Sequence, residues 1–144
     1  MIAHLKKNTR GAVPGLAVHF ERKTDHHTNK EIDVSKSYLN QDLMADGSDM
    51  LSRFNARLND VYCMKRDDVK VLATWIVTLP EELTEAPYEQ QSAFLEATTN
   101  FLNDRYGQEN TVAAVVHYDE TAPHLRYAFS LVFLYNHPCK NRLK

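Results

Sequence analysis

The chain has 144 residues and a mass of 16.6 kDa, the size of one ordinary domain with a real core. With 43% hydrophobic, 10% aromatic and 25% charged residues, and only 4 Gly and 5 Pro, it falls outside the disordered, collagen-like and low-complexity classes. A net charge of −2 argues against a protein wrapped in nucleic acid, but the charge is unevenly spread. Residues 1–36 hold seven basic side chains against four acidic ones, a net +3, which leaves −5 for the remainder.

The amino terminus, Met1 to Lys7, has neither the apolar stretch nor the small-residue cleavage site of a secretory signal. The longest apolar run, Ala128 to Tyr135, is broken by Ser130 and is far shorter than the ~20 residues of a bilayer-spanning helix. A cytoplasmic protein without membrane contact is expected. Cys63 and Cys139 stand far apart, neither in a Cys-x-x-Cys pair, and read as free thiols.

The opening forty residues, punctuated by Gly11, Pro14 and Gly15 and polar from Thr24 to Ser37, read as irregular. After Asp46-Gly47-Ser48, apolar residues at Leu51, Phe54, Leu58, Val61 and Tyr62 share one helical face, predicting a helix that ends near Lys65. Val69 to Leu79 switches to period two, predicting a strand with Val71, Ala73, Trp75 and Val77 on one face and a wet opposite face at Lys70, Thr74 and Thr78. A second amphipathic helix is predicted between Pro87 and Gly107, with Phe94, Ala97, Thr98 and Phe101 at helical spacing. Trp75, Phe94, Phe101 and Phe54 are expected in the core. Thr111 to Tyr118 and Leu125 to Tyr135 flank the turn-rich Asp119 to Pro123 and predict a hairpin. Strands interleaved with helices and ending in a hairpin predict a single α+β domain, helices packed on a mainly antiparallel sheet.

Three of seven histidines stand where they can work together. His117 ends one hairpin strand and His124 begins the next, so their side chains face each other at roughly 5 Å. The two imidazoles either share a divalent ion, with Asp119 or Glu120 as oxygen ligand or as orienting partner, or are hairpin-end histidines with ordinary hydrogen bonds. His19, between Val18 and Phe20, reads by itself as a half-buried strand histidine. His26 and His27, beside Asp25, have no metal role.

The run His117-Tyr118-Asp119-Glu120-Thr121-Ala122-Pro123-His124 resembles the third motif of the plasmid mobilisation/recombination (Mob/Pre, MobV-type) relaxases. His19-Phe20-Glu21-Arg22 resembles their first motif, His-x-x-Arg, and Asn40-Gln41-Asp42-Leu43 their second. The resemblance spans Leu5 to Phe133, with three motifs in order. It implies a histidine-hydrophobe-histidine nuclease that binds plasmid origin-of-transfer DNA, single-stranded or as a hairpin, and cuts one phosphodiester with the help of a divalent ion, Mn2+ or Mg2+. Carried over residue by residue, it makes His19 the nucleophile, holding the 5′ end as a phosphohistidine, with Arg22 beside the phosphate and Glu120 in support. His117 and His124 become metal ligands, and Arg22, Lys23, Lys30, Asn40 and Arg126 the residues expected to meet DNA. Imidazole ligands leave positions open for phosphate oxygens, and cations near the nucleophile ease the approach of a polyanion.

The likeness breaks at Arg126, where the family pattern has a further histidine. Positions i and i+2 share a strand face, so a guanidinium stands where a third imidazole belongs. Arginine does not deprotonate to bind a metal, and its charge repels one. A weakened metal site is expected. Ser130-Leu131 replaces an apolar-proline pair, and the chain stops at Lys144 on a basic cluster, whereas family members continue. These departures predict an incomplete amino-terminal nuclease domain. It is an impaired relaxase, a catalytically inactive DNA-binding remnant or an unstable fragment with no present role, with Arg126 as a direct phosphate clamp as a further reading.

Overall fold

The computed structural model describes residues 2–24, 29–44, 46–60 and 66–131. Strands β1 (Ala3–Thr9), β2 (Gln41–Asp42), β3 (Lys70–Thr78), β4 (Thr111–His117) and β5 (His124–Ser130) form one sheet in the order β1-β3-β5-β4-β2. Every neighbouring pair is antiparallel. Helices α1 (Val13–Phe20) and α2 (Met50–Asp60) contribute Val13, Ala17, Phe20, Met50 and Phe54 to a core with Leu72, Ala113 and Ala128 of the sheet. Helix α3 (Tyr88–Tyr106) contributes Leu95 and Leu102 to a second core with Ala73, Val77, Leu125, Tyr127 and Phe129. Alternation along the strands sends these two sets to opposite faces, so the sheet is sandwiched between helices. The α+β architecture expected from the sequence is the one observed.

Local chemistry sets the boundaries. Asp49 precedes α2, and its carboxylate accepts the backbone N–H of Ser52 at 2.8 Å, satisfying a donor of the first turn. α3 stops at Gly107, whose φ of +89° lies in the left-handed region and where an added Cβ would come within 2.8 Å of the Glu109 carboxylate. The hairpin forms as predicted, with His117 paired to His124 across the β4–β5 ladder.

Several expectations need correction. The opening segment is not irregular: it carries β1 and α1. Pro14 sits in the first turn of α1, where a missing N–H costs nothing, and Val13, Ala17 and Phe20 are buried at helical spacing. His19 is therefore a helix residue, not a strand residue. β1 lies at the sheet edge, exposed from Ala3 to Lys7. Edge strands carry charge and lack clean alternation, which hides them in a sequence. β3 has no fully wet face, because it runs between β1 and β5 and packs on both sides. Leu72 is fully buried and Thr74 nearly so.

Phe54 is core, but Phe101 is 63% exposed and lines, with Trp75 and Phe94, a cavity of about 570 Å3 on the α3 face. That cavity is on the face opposite the histidines, since Trp75 and Val77 alternate with Ile76 and with Thr78, the cross-strand partner of His124. The predicted helix end at 61–65, the strand beyond Leu131, His26, His27 and both cysteines lie outside the described residues.

Candidate active site

The site begins at the last turn of α1. The N–H of Glu21 makes the last regular helical bond to the Ala17 carbonyl and the N–H of Lys23 reaches back to the Val18 carbonyl, both at 3.0 Å, the latter being the long closing bond of a helix that exits through a left-handed residue. That residue is Arg22, with φ of +52°. Glycine is usual there, and a side chain costs ~1–2 kcal/mol. The cost is offset by where the side chain is sent. Arg22, only 6% exposed, donates from Nε to Asp119 Oδ2 at 2.8 Å, from Nη2 to Asp119 Oδ1 at 3.0 Å and to Glu120 Oε1 at 2.8 Å, and from Nη1 to the His19 carbonyl at 2.9 Å. The same Nη1 lies 3.4 and 3.5 Å from the two ring nitrogens of His19.

Asp119 is the hub. Its carboxylate has no exposure and also accepts from Ser37 Oγ at 2.7 Å and Asn40 Nδ2 at 3.0 Å, while its carbonyl accepts the Asp33 N–H at 2.7 Å. Asn40 Oδ1 takes the Tyr118 N–H at 2.7 Å. Segment 33–40, whose start is pinned by Ser35 N–H on Asp33 Oδ1, thereby clamps the β4–β5 turn onto Arg22. Burial pushes the Asp119 carboxyl up, but the hydrogen bonds from Arg22, Ser37 and Asn40 outweigh it and hold the group well below the usual carboxylate range.

Beside this hub the imidazoles converge. The His19 and His117 ring centres are 6.1 Å apart and those of His117 and His124 5.4 Å, each pair edge to face. His117 Nε2 donates to the Phe20 carbonyl at 2.8 Å, and His124 Nδ1 to the Ala122 carbonyl at 3.1 Å. These carbonyls assign the tautomers and leave lone pairs on His117 Nδ1 and His124 Nε2. His117 Nδ1 is buried and has no hydrogen-bond partner among the described residues. One ring nitrogen of His117, one of His124 and a Glu120 carboxylate oxygen lie within 4.8 Å of one another. Imidazoles fixed by backbone carbonyls, with a bare nitrogen pointing at a carboxylate, are the donor set a divalent ion needs, so the residues fit one.

Burial, with the Arg22 charge, pushes His117 down to about 3, and burial also lowers His124, so both rings are neutral near neutrality. Glu120 is held low: its burial is outweighed by His124, Arg22 and Arg126.

The remaining predicted site residues fall into two groups. Asn40 is committed at both ends of its amide to the Tyr118–Asp119 backbone and carboxylate. Asp119, one of the two oxygen ligands the sequence offers, is instead committed to Arg22. Arg126, half-buried on β5, stands on the face of His124 and donates from Nε to His124 Nε2 at 3.4 Å. Lys23 is exposed and pairs with Glu21 at 3.4 Å and Asp49 at 3.5 Å, and Lys30 is exposed. Sequence reasoning misses Ser37 and the two carbonyls that orient the rings. A serine three residues before Asn40 is the one available signal, and backbone groups leave none.

The family model for "Plasmid recombination enzyme" (Mob_Pre) matches residues 1–140. A plasmid recombination enzyme of Lactiplantibacillus plantarum is 34% identical over 129 residues, covering 86% of this chain and 36% of its own length. One of Bacillus thuringiensis is 31% identical, with 86% and 28% covered. Among solved structures, the Mn-bound MobM relaxase domain (MOBV; Mob_Pre) on plasmid pMV158 oriT DNA superposes with a TM-score of 0.77 at 28% identity, covering 89% of this chain and 68% of that one. The chain thus spans about a third of the length of these curated relatives. Because that family model spans nearly the whole sequence, the chain belongs to the Mob_Pre plasmid recombination enzyme family.

Proposed function

We propose that this chain is the nuclease part of a relaxase, one domain that acts in the cytosol on single-stranded plasmid origin DNA and transfers one of its phosphodiesters to His19. The observation that carries the reading is the approach of His19 to His117, 6.1 Å between ring centres, made by elements 97 or more positions apart in sequence.

His19 attacks phosphorus through a ring nitrogen. An N–P bond forms, the P–O3′ bond breaks, and the imidazolium proton passes through solvent to the departing 3′ oxygen, leaving a free hydroxyl and a 5′ phosphohistidine. Arg22 orients the His19 ring and places a cation where negative charge builds on the non-bridging oxygens. Asp119 holds Arg22 in that pose. His117, His124 and Glu120 would hold a divalent ion such as Mn2+, the metal of the solved relative, which supplies charge neutralisation at the phosphate. The basic amino-terminal region, with Lys23 and Lys30 exposed, lowers the cost of bringing the strand in.

Incubation with a single-stranded origin oligonucleotide and Mn2+ should yield a shortened 3′-hydroxyl product and a protein–DNA adduct that survives denaturation but not acid. A product without an adduct would remove His19 from the nucleophile role. The contact of Arg126 with His124 favours a second reading, a strand-binding module without cleavage. A low-salt gel shift that persists with no cleavage at any metal concentration would support it.

A further inference from the structure

We infer that this chain completes its metal site with Glu120 in place of a third imidazole, and that Arg126 competes with the ion for the lone pair of His124. The inference rests on the metal-assisted reading above and deepens it.

Three observations carry it. First, Glu120 divides its two oxygens: Oε1 is 2.8 Å from Arg22 Nη2, while Oε2 faces His124 Nε2 at 3.5 Å. One oxygen is thus anchored and the other turned toward the bare nitrogens. Second, His117 Nδ1 is buried and unsatisfied among the described residues, a state that costs free energy unless something fills it. A cation between His117, His124 and Glu120 satisfies it, and two imidazoles with one carboxylate form a recurrent divalent-ion ligand set. Third, the position two residues beyond His124 holds a donor. Arg126 Nε–H points to His124 Nε2, the atom a metal must use, and the guanidinium cannot give up its proton.

The two cations are therefore exclusive at one nitrogen. Without metal, Arg126 stabilises the Glu120 and His124 cluster. Loading requires its guanidinium to withdraw from His124. In the loaded site Glu120 carries the negative charge that offsets both Arg22 and the ion, so the metal's hold depends on a carboxylate.

Metal titration of the purified full chain, without DNA, tests this independently of cleavage. Free Mn2+ is read by electron paramagnetic resonance and the heat of binding by calorimetry. Glu120→Gln should weaken Mn2+ at least ~10-fold, as losses around metal sites do. Arg126→Ala should tighten it by about tenfold, the Coulomb penalty of a unit charge ~6 Å from a divalent ion even at the dielectric of water. Cooperative metal-free thermal melts, even at a lower Tm than the parent, show that the folds are intact. If Glu120→Gln does not fold, Glu120→Asp, which keeps the charge but withdraws the oxygen, should weaken binding as well. Unchanged affinity in the folded Glu120 variant overturns the ligand assignment, and unchanged or weaker affinity in Arg126→Ala overturns the competition. Metal binding as expected with no DNA cleavage leaves this inference standing and sinks the nicking reaction alone.

Discussion

Arg22 meets both carboxylate oxygens of Asp119, at 2.8 and 3.0 Å, across 97 positions of sequence. The pair is nearly removed from water, at 6% and 0% side-chain exposure, so it is held by geometry and by the further donors Ser37 and Asn40 and not by charge alone. It joins the first motif to the third, and Asn40 brings in the second.

Removing one partner leaves a buried charge alone. Asp119→Ala should lower unfolding free energy by ~3–5 kcal/mol in a urea titration. Arg22→Gly should cost less than Asp119→Ala, because glycine relieves the left-handed strain worth ~1 kcal/mol at that position. If Arg22→Gly proves the more damaging, the helix exit is not strained as described.

Acid should destabilise the chain early. His117 is pushed down to about 3 in the folded protein against 6.5 when unfolded, so below 6.5 the unfolded state binds more protons. Stability is complete above pH 6.5 and falls as pH drops toward 3, by a few kcal/mol at most. Asp119, also lowered, adds a loss in the same direction below its unfolded value of 3.8. Melts between pH 7 and 4 should show this decline in the parent and a flatter profile in His117→Gln. A parent profile level down to pH 4 would contradict the neutral, buried ring.

His19→Ala should abolish the covalent adduct while leaving Mn2+ affinity within about twofold of the parent, because the His19 ring is not among the groups that close on the ion. Denaturing gels with labelled oligonucleotide and a parallel metal titration read the two effects. Adduct formation by the variant would assign the attack to another residue.

Lys30→Ala should reduce single-strand affinity more than Lys23→Ala, since Lys23 is already paired with Glu21 and Asp49. Removing one lysine–phosphate pairing should lower the slope of log affinity against log salt by about 0.7. Binding isotherms at several salt concentrations give the slopes, and equal effects from the two lysines would show that the Lys23 pairs open on DNA.

Much of this arrangement is legible in the residue pattern because it follows from periodicity. The hairpin carrying His117 and His124, the strand at Lys70–Thr78 and the helix closed by Gly107 all announce themselves through spacing and turn residues. The helix that carries His19 does not, because Pro14 and Gly15 read as breakers when seen without the Val13, Ala17, Phe20 face they interrupt. The strand before it is an edge strand, paired among the described residues with β3 alone. Within the site, residue types identify the imidazoles, but which nitrogen of each is bare depends on the Phe20 and Ala122 carbonyls, which no side-chain pattern encodes. Asn40, which the motif pattern offers to DNA, is tied into the protein instead.

The hydrogen bond from His117 to the Phe20 carbonyl bolts the carboxyl end of α1 to β4. The proposed nucleophile, His19, and the proposed ligand, His117, are thereby registered against each other when the chain folds, before any substrate arrives. The orientational entropy of aligning them is settled in advance, so the proposed single-stranded substrate would have only its own freedom to give up.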